Sequence, residues 1–409
     1  MGKKIYYGWW VVSACFPIGL YASGVVFYGL TAFFDPFVKE FGWSHTEVSF
    51  AASLRGIESG IFSPILGFFV DRFGSRKLIL AGTILTGAAL LLLSLTRSLA
   101  MFYVSFFLLS LGTSGCMGLV TMTAVANWFD KGSGKAFGVM SSAFGASGLI
   151  VPLIVWLTDV FHWRTALVIL GLGMWGLGVP LSFVIRQKPE GEDGHSGERL
   201  RTDSNPQHRH QTGTIDLPLK EILKQRAFLH LVLAETVRVM AVGAVVTHVM
   251  PYLGHKGMSR PAAGMIAAMI PIMSIVGRFG FGWFADVYRK KYVMALAFVF
   301  MDLGVFAFAF AGRQWPIPFF LFFFSVGLGG GMVMRVTILR EFFGGHAFGR
   351  LLGIVMGAAA LGGTIGPTMA GWFFDTFRDY HLAWFVLLGL VSLSIVLILT
   401  MKPRPSHTG

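Results

Sequence analysis

The chain has 409 residues, of which 55% are hydrophobic and 13% are charged, and its formal net charge is +13. A soluble domain carries about 25% charged residues, so this composition excludes a soluble globular protein and predicts an all-α membrane protein. The positive charge does not indicate a nucleic-acid-binding surface, because most basic residues fall in loops between apolar segments.

Twelve apolar segments of about 20–27 residues follow one another, and each is long enough to cross the hydrocarbon core of a bilayer. The first is too long for the hydrophobic part of a signal peptide and lacks a small-residue cleavage site, so we interpret it as a span. In chain order the segments begin near Gly8, Val48, Leu78, Leu99, Ala136, Thr165, Phe228, Pro261, Tyr292, Ile317, Phe348 and Leu382.

The distribution of lysine and arginine predicts the orientation of these segments. If the N-terminus is cytoplasmic, 22 basic residues lie on the cytoplasmic side, seven lie on the opposite side and four lie within segments. Cytoplasmic loops are enriched in lysine and arginine. We therefore expect a multi-pass protein of the cell (inner) membrane with both termini in the cytoplasm.

The segments fall into two halves, residues 1–185 and 227–409, joined by a cytoplasmic linker at 186–226. The linker is polar and ends in LPLKEILKQR, which predicts a short amphipathic helix. Its His208 and His210 have no further ligands at the spacing of a metal site, so we expect a solvated linker. The sequence predicts no metal and no cofactor.

The two halves share a repeated pattern. Gly67-x3-Asp71-Arg72-x-Gly74-x-Arg76-Lys77 follows segment two, and Gly282-x3-Asp286-x2-Arg289 follows segment eight. Gly67 and Asp71 are each 215 residues before their counterparts, and Gly148 and Pro152 match Gly363 and Pro367 at the same offset. Two separate landmarks with one offset indicate an internal duplication. Paired six-helix halves are typical of secondary transporters, which bind substrate between the halves.

The repeated loops predict a cytoplasmic gate. The glycine of the helix permits close helix packing, the second glycine permits a tight turn, and the aspartate accepts hydrogen bonds from a neighbouring helix N-terminus. We expect the gate residues to be Gly67, Asp71, Arg72, Gly74, Arg76, Gly282, Asp286 and Arg289.

Several charged residues lie within predicted spans. Arg55 with Glu58, and Glu235 with Arg238, are i, i+3 pairs that can meet on one helix face. Each pair either neutralises itself or contains the carboxyl group that carries a proton during transport. Asp302 is a third candidate for proton coupling, although its position favours a structural role. Arg335 lies near the cytoplasmic end of its segment, where a long side chain can snorkel.

Arg278 also lies within a span, in the stretch GRFGFGWFAD. An arginine at the centre of a membrane helix costs about 2.5–3.5 kcal/mol on insertion scales. A guanidinium in a dry cavity suits the bidentate binding of a carboxylate. The alternatives are a structural ion pair or snorkelling to the cytoplasmic surface, and we favour the binding of a substrate.

The gate motif resembles the signature of the major facilitator superfamily, and this resemblance covers essentially the whole chain. It implies twelve transmembrane helices in two pseudo-symmetric six-helix halves. Gly277-Arg278-Phe279 with Gly282 and Asp286 is similar to helix eight of the monocarboxylate transporters and oxalate–formate exchangers. In those proteins the arginine is implicated in carboxylate binding. The entries to segments one (Tyr7-Gly8-Trp9-Trp10) and five (Trp128-Phe129) also resemble theirs.

Two departures from that group bear on coupling. Ser274 stands where the animal-type carriers have an aspartate, and residues 8–34 contain no lysine. The segment that begins near Phe348 lacks the lysine that the oxalate exchangers use for a second carboxylate. Because the aspartate and the first-segment lysine are missing, the proton-handling residues of the group do not transfer to this chain. The missing lysine of the later segment disfavours a dicarboxylate substrate without excluding it. We take Tyr28, His248 and Tyr252 as further candidates for substrate binding.

The chain is not expected to be an enzyme. Gly132–Lys135 resembles a nucleotide-binding loop, but Phe129 and Ala136 break the required spacing. We expect a proton-coupled monocarboxylate symporter of the lactate or pyruvate type that works by alternating access. An organic-anion exchanger and a drug exporter are the alternatives, and a channel or receptor is disfavoured by the repeat. The expected partners are a small carboxylate, protons and lipid, with a functional monomer and no nucleic acid.

Overall fold

A computed structural model describes residues 6–129, 133–186, 219–311, 315–343 and 348–401. Within these ranges, it does not describe the side chains of 55–57, 59–65, 67, 71, 133–135, 137, 141, 219–220 and 348–350. Every secondary-structure element in the described residues is a helix. The all-α prediction is confirmed, whereas residues 187–218, with His208 and His210, lie outside the described part.

The N-terminal half is a series of long helices joined by short turns. Its first helical rod consists of two α-helices on either side of a π-helical turn, and its last α-helix follows a 3-10 turn. The elements are α1 (Tyr7–Ser23), the π turn (Gly24–Tyr28), α2 (Leu30–Phe41), α3 (His45–Phe73), α4 (Ser75–Ser94), α5 (Leu99–Cys116), α6 (Leu119–Ala126), α7 (Ser133–Ala146), the 3-10 turn (Ser147–Leu149) and α8 (Ile150–Val184).

The second half repeats this arrangement after a short helix at the end of the linker. That short helix agrees with the one expected from LPLKEILKQR. The elements are α9 (Leu219–Leu223), α10 (Arg226–His255), α11 (Arg260–Val287), α12 (Lys290–Ala309), α13 (Pro316–Phe343), α14 (Phe348–Phe377) and α15 (His381–Thr400).

Ten helical stretches of the described residues are long and apolar enough to cross a membrane. One of them, Gly138–Val184, is 47 residues long, and it changes direction at His162, which has a φ of 67°. Eleven of the twelve predicted segment starts lie within one turn of a helix start, because hydropathy marks them clearly. The sixth, near Thr165, lies three residues after the bend of α8 at His162. The number twelve stays a prediction.

The halves pack against each other through corresponding helices. α3 of the first half packs along α14 of the second, while α8 and the 3-10 turn before it pack on α11. These are the second, eleventh, fifth and eighth segments, so the two contacts are counterparts under the internal repeat. The halves also meet at α2 and α10. A site between the halves is therefore bordered by these helices.

The halves are joined at the end of the molecule that carries the 42–44, 256–259 and 378–380 loops, which we call the far end. There the Asp375 carboxylate accepts hydrogen bonds from the backbone N–H groups of His45 (3.0 Å) and Thr46 (2.8 Å). In the corresponding place of the other pair of helices, Arg260 lies 3.0 Å from Asp159. Asp375 lies near the end of α14 and Asp159 just before the bend of α8 at His162, and each carboxylate meets the start of a helix of the other half.

Hydrogen bonds between α3 and α14 extend this contact towards the middle of the helices. The Ser53 hydroxyl donates to the Thr364 carbonyl at 2.5 Å and lies 2.7 Å from the Thr368 hydroxyl. Ser49 lies 2.9 Å from Nε2 of His248. We call the contacts of Asp375, Arg260, Ser49 and Ser53 the far-end seam. The seam holds the two halves together on this side.

A charged cluster flanks the seam in the 378–380 loop. Lys256 lies 3.4 Å from Asp379, and His381 lies 3.8 Å from the same carboxylate. Burial opposes the charge of Asp379, but His381, Lys256 and two backbone N–H groups together hold its pKa below the ordinary value. The Asp379 carboxylate therefore stays negatively charged beside the seam at neutral pH.

Candidate functional site

Glycines bring α11 and α13 into backbone contact and fix the position of Arg278. A Cβ atom at Gly277 would collide with the Val326 carbonyl, and one at Gly329 would collide with the Ser274 carbonyl. A Cβ atom at Gly329 would also lie 2.9 Å from the backbone nitrogen of Arg278. Close approach of two helices needs glycine at such points. The glycines in this part of the sequence therefore serve packing, and they hold the Arg278 backbone rigidly.

The Arg278 side chain extends from this contact to the interface between the halves. Its guanidinium carbon lies 5.4 Å from the centre of the Phe144 ring, which belongs to α7 of the other half. Its Nη2 lies 3.6 Å from the Met332 sulfur on α13. It also interacts electrostatically with Tyr28 of the first half. Both halves thus contribute side chains to the surroundings of Arg278, and these three side chains carry no negative charge at neutral pH.

Tyr28 ends the π turn that interrupts the first helical rod. Its side chain is buried, and its hydroxyl oxygen has no hydrogen-bond partner among the described residues. Its ring packs edge-on against Phe144 at 5.5 Å. A buried polar group without a partner costs free energy, and π turns within α-helices are frequent at functional sites. Tyr28, Phe144 and Arg278 therefore form one cluster across the interface, which we call the central cluster.

Two other predicted binding residues lie away from the central cluster. His248 belongs to the far-end seam, where Nδ1 is 3.1 Å from the Tyr380 hydroxyl and Nε2 is 3.0 Å from the Pro367 carbonyl. The Tyr252 hydroxyl donates to the Ala309 carbonyl at 2.8 Å inside the second half. Both side chains are fully buried. His248 thus lies in the far-end seam, and Tyr252 lies in the core of the second half.

The pair Glu235–Arg238 forms as its spacing predicts. The Nη2 of Arg238 is 2.8 Å from a Glu235 oxygen, and its Nε is 3.1 Å from both carboxylate oxygens. Both residues are buried. Arg335 approaches as well, with Nη1 at 3.8 Å from Glu235. The expected snorkelling of Arg335 is therefore not what the structure shows, because the side chain turns towards a buried acid on α10.

The other candidate acids lie in separate surroundings. Oε2 of Glu58 accepts a hydrogen bond from Ser114 at 3.0 Å, and its Oε1 has no hydrogen-bond partner among the described residues. The side chain of Arg55, its expected partner, lies outside the described part. Asp302 accepts from Ser392 at 2.7 Å on the paired helices α12 and α15. Asp302 therefore lies at the periphery, away from the interface between the halves.

The predicted gate residues lie at the end opposite the far end. Gly74 has a φ of 80° and joins α3 to α4, a conformation that glycine adopts without strain. Arg72, Arg76, Asp286 and Arg289 are exposed. Arg76 lies over the Phe183 ring at 5.3 Å. A Cβ atom at Gly282 would meet no other atom of the described residues within 4 Å. The surroundings of Gly67 and the side chain of Asp71 lie outside the described part.

Sequence reasoning missed several of these neighbours. Phe144 and Met332 resemble ordinary packing residues, and Ser114 carries no charge pattern. Their roles follow from contacts between distant segments, which no local pattern reports. Gly24, which begins the π turn, and Gly29, which follows it, are the one local mark near Tyr28.

The model of the Major Facilitator Superfamily matches this chain over residues 10–334 and again over 239–409. Monocarboxylate transporter 12 of Rattus norvegicus is 25% identical over 95% of this chain and 83% of its own length. The MFS-type transporter YcxA of Bacillus subtilis (strain 168) is 24% identical, with 92% of each chain covered.

Two solved structures show the same fold. A bacterial homologue of the human lysosomal transporter Spinster, in an inward-facing and occupied conformation, superposes with a TM-score of 0.76. It is 13% identical and covers 98% of this chain and 97% of its own. A mutant of the nucleoside transporter NupG gives a TM-score of 0.75 at 12% identity, covering 97% of this chain and 99% of its own. At such identities the likeness supports the fold alone.

Proposed function

Because the chain belongs to the major facilitator superfamily, we propose that it carries small organic anions, by proton-coupled symport of a monocarboxylate of the lactate or pyruvate type. The observation that supports this most is the central cluster, in which Arg278 of one half faces Tyr28 and Phe144 of the other. The similarity to monocarboxylate transporters at about 25% identity supports the same substrate class.

The substrate carboxylate binds the Arg278 guanidinium. The guanidinium offers two parallel N–H groups that match a carboxylate, and burial strengthens this contact. Tyr28 supplies a hydroxyl that needs a partner, and it donates to the same carboxylate. Phe144 and Met332 provide apolar surface for a short carbon chain. A site of this kind accepts a small monocarboxylate and excludes cations.

Alternating access follows from the position of the site between the halves. The substrate joins groups of both halves, so it stabilises the arrangement in which these groups approach each other. We take the far end as the outer side of the membrane, in line with the charge distribution of the loops. The far-end seam then closes the outer side, and the predicted gate around Gly74 and Asp286 acts on the cytoplasmic side.

Glu58 carries the proton in this proposal. Among the described residues, one hydroxyl group, that of Ser114, holds the Glu58 carboxylate. A carboxylate in such an apolar interior is costly unless it binds a proton. Glu235, in contrast, is held by the guanidinium of Arg238, which stabilises the ionised form. Glu58 also lies on α3, which packs against the second half. Its protonation is therefore well placed to respond to movement between the halves.

The test is uptake of lactate into proteoliposomes under an inward proton gradient. Arg278→Lys keeps the charge but loses the planar fork, so we expect uptake to fall to a few per cent or less of the original while the protein still inserts and folds. Arg340→Lys, at an exposed position on α13, is the matched control and should keep full uptake. Unchanged uptake in Arg278→Lys would make Arg278 a structural residue. Uptake that requires internal substrate and ignores the gradient would favour the exchanger.

A further inference from the structure

A second cluster of charge lies inside the second half, and its charges do not balance. Glu235 supplies one carboxylate, whereas Arg238 and Arg335 supply two guanidinium groups within 4 Å of it. The three hydrogen bonds from Arg238 occupy both oxygens of Glu235. Among the described residues this cluster therefore keeps one positive charge in excess, in a region where an unbalanced charge is costly.

The excess charge belongs to Arg335. The side chains of Glu235 and Arg238 are 0% and 3% exposed, whereas that of Arg335 is 17% exposed. The Nε of Arg335 is buried and has no hydrogen-bond partner among the described residues. A guanidinium has five N–H donors, and its contact with Glu235 at 3.8 Å is longer than a hydrogen bond. Arg335 thus keeps donors available for an anion.

The packing of α13 makes this arrangement rigid. Gly331 lies against Arg238, and a Cβ atom there would come within 2.7 Å of the Arg238 Cδ. The glycine leaves room for Arg238 to lie beside α13 and to hold Glu235 in front of Arg335. Glu235 and Arg238 are therefore positioning residues for the Arg335 side chain.

Arg335 is also close to the central cluster. Met332, whose sulfur contacts Arg278, lies three residues before Arg335 on the same helix. Residues at this spacing share one face, with about 5–6 Å between their Cβ atoms. Because α13 runs away from the far end, Arg335 lies about one helical turn beyond Met332, on the side of the predicted gate.

We propose that Arg335 is a second carboxylate-binding residue, one turn beyond Arg278 on the gate side. This inference rests on the proposed binding of a carboxylate at Arg278. The anion at Arg335 is either the distal carboxylate of a short dicarboxylate held by Arg278 or a second monocarboxylate molecule on its way through the carrier. The second cation is thus supplied by α13, and the absence of a lysine from α14 does not exclude a second carboxylate.

Titration calorimetry of the purified protein with succinate and with propionate tests this proposal. If the distal carboxylate binds Arg335, Arg335→Gln should weaken succinate binding by about tenfold or more and leave propionate unchanged, because a hydrogen bond to a charged group contributes about 1.5–3 kcal/mol. If a second monocarboxylate binds there, the number of propionate molecules bound per chain should fall from two to one. Arg335→Lys should give a smaller loss, since it keeps the charge without the fork.

The controls separate this inference from the function on which it rests. Arg278→Lys should lower the affinity for both ligands, and Arg340→Gln should change neither. If the original protein binds neither ligand, the proposed function and this inference both fail. If it binds them and Arg335→Gln alters neither affinity nor stoichiometry, Arg335 is only a structural partner of Glu235 and the inference alone fails. Should Arg335→Gln not fold, Arg335→Lys decides by the same criteria.

Discussion

Arg238 and Arg278 are both arginines within apolar helices of the second half, but their surroundings differ. Arg238 is bound by the carboxylate of Glu235 on its own helix. Arg278 lies against the ring of Phe144, the thioether of Met332 and the side chain of Tyr28. Phe144 and Tyr28 both belong to the other half. Arg238 is neutralised by an acid of its own helix, whereas Arg278 lies at the interface between the halves.

The difference shows how an intramembrane charge can be interpreted. When an intramembrane arginine has an acid within one helical turn, the pair lowers the free-energy cost of inserting both charges into the membrane. A bound ligand is then not needed to explain the arginine. A guanidinium that reaches the interface between the halves is instead placed where an anion from solution can meet it. Position between moving halves then favours a substrate as that anion. This contrast suggests three experiments.

The largest expected effect is on stability. Arg238→Gln leaves the buried Glu235 without its main partner, so we expect a loss of about 3–5 kcal/mol and a much lower melting temperature in detergent. Arg278→Gln should leave the melting temperature nearly unchanged but weaken lactate binding by about 30-fold or more, since loss of a buried charged partner costs about 2–5 kcal/mol.

The double variant Glu235→Gln with Arg238→Gln is the control, because it removes both charges and should recover much of the stability. Melting curves recorded with and without lactate measure both effects on one sample. Equal losses of stability at Arg238 and Arg278 would remove the distinction between the two arginines and make Arg278 structural.

Much of this contrast was available from the sequence. The i, i+3 spacing predicts the Glu235–Arg238 pair, and hydropathy places eleven of the twelve segment starts within one turn of a helix start, because both depend on neighbours along the chain. The π turn at Gly24–Tyr28, the approach of Phe144 to Arg278 and the contact of Arg335 with Glu235 depend on packing between distant segments. The far-end seam joins residues about 100 to 330 positions apart, so no local pattern predicts it.

A second experiment extends the contrast to the acids Glu58 and Glu235. We expect Glu58→Gln to abolish accumulation of lactate driven by a proton gradient, because the amide cannot bind and release a proton. Counterflow exchange of substrate should remain measurable, since exchange needs no net proton movement. Glu235→Gln should keep gradient-driven accumulation in the fraction of protein that folds, since its carboxylate serves to hold Arg238.

Uptake with and without the gradient, together with counterflow, is measured in the same proteoliposomes. If both variants still accumulate lactate, neither acid carries the proton and the exchanger replaces the symporter. If Glu235→Gln alone loses accumulation, the proton is carried inside the second half and the assignment of the two acids is reversed.

The smallest expected effect concerns Asp375 and Asp302, two acids that differ as the arginines do. Asp375 of α14 accepts hydrogen bonds from the start of α3 across the interface, whereas Asp302 accepts from Ser392 within one half. Asparagine keeps one acceptor oxygen but loses the charge that favours a helix N-terminus, which contributes about 0.3–1 kcal/mol. We therefore expect Asp375→Asn to raise the population with an open far end by about two- to fivefold, and Asp302→Asn to leave that population unchanged.

A cysteine at Ser53 reports this change, since Ser53 is buried in the far-end seam. The natural cysteines Cys15 and Cys116 are both buried, so the background of labelling by a membrane-impermeant maleimide should be low. The reagent is added from the far side of the membrane, and the rate of labelling follows the fraction of molecules with an open far end. Faster labelling in Asp375→Asn than in Asp302→Asn supports a seam that holds the halves together by charge at a helix start. Equal rates would mean that the seam closes through packing alone, with the carboxylate of Asp375 adding nothing to the balance between the two conformations.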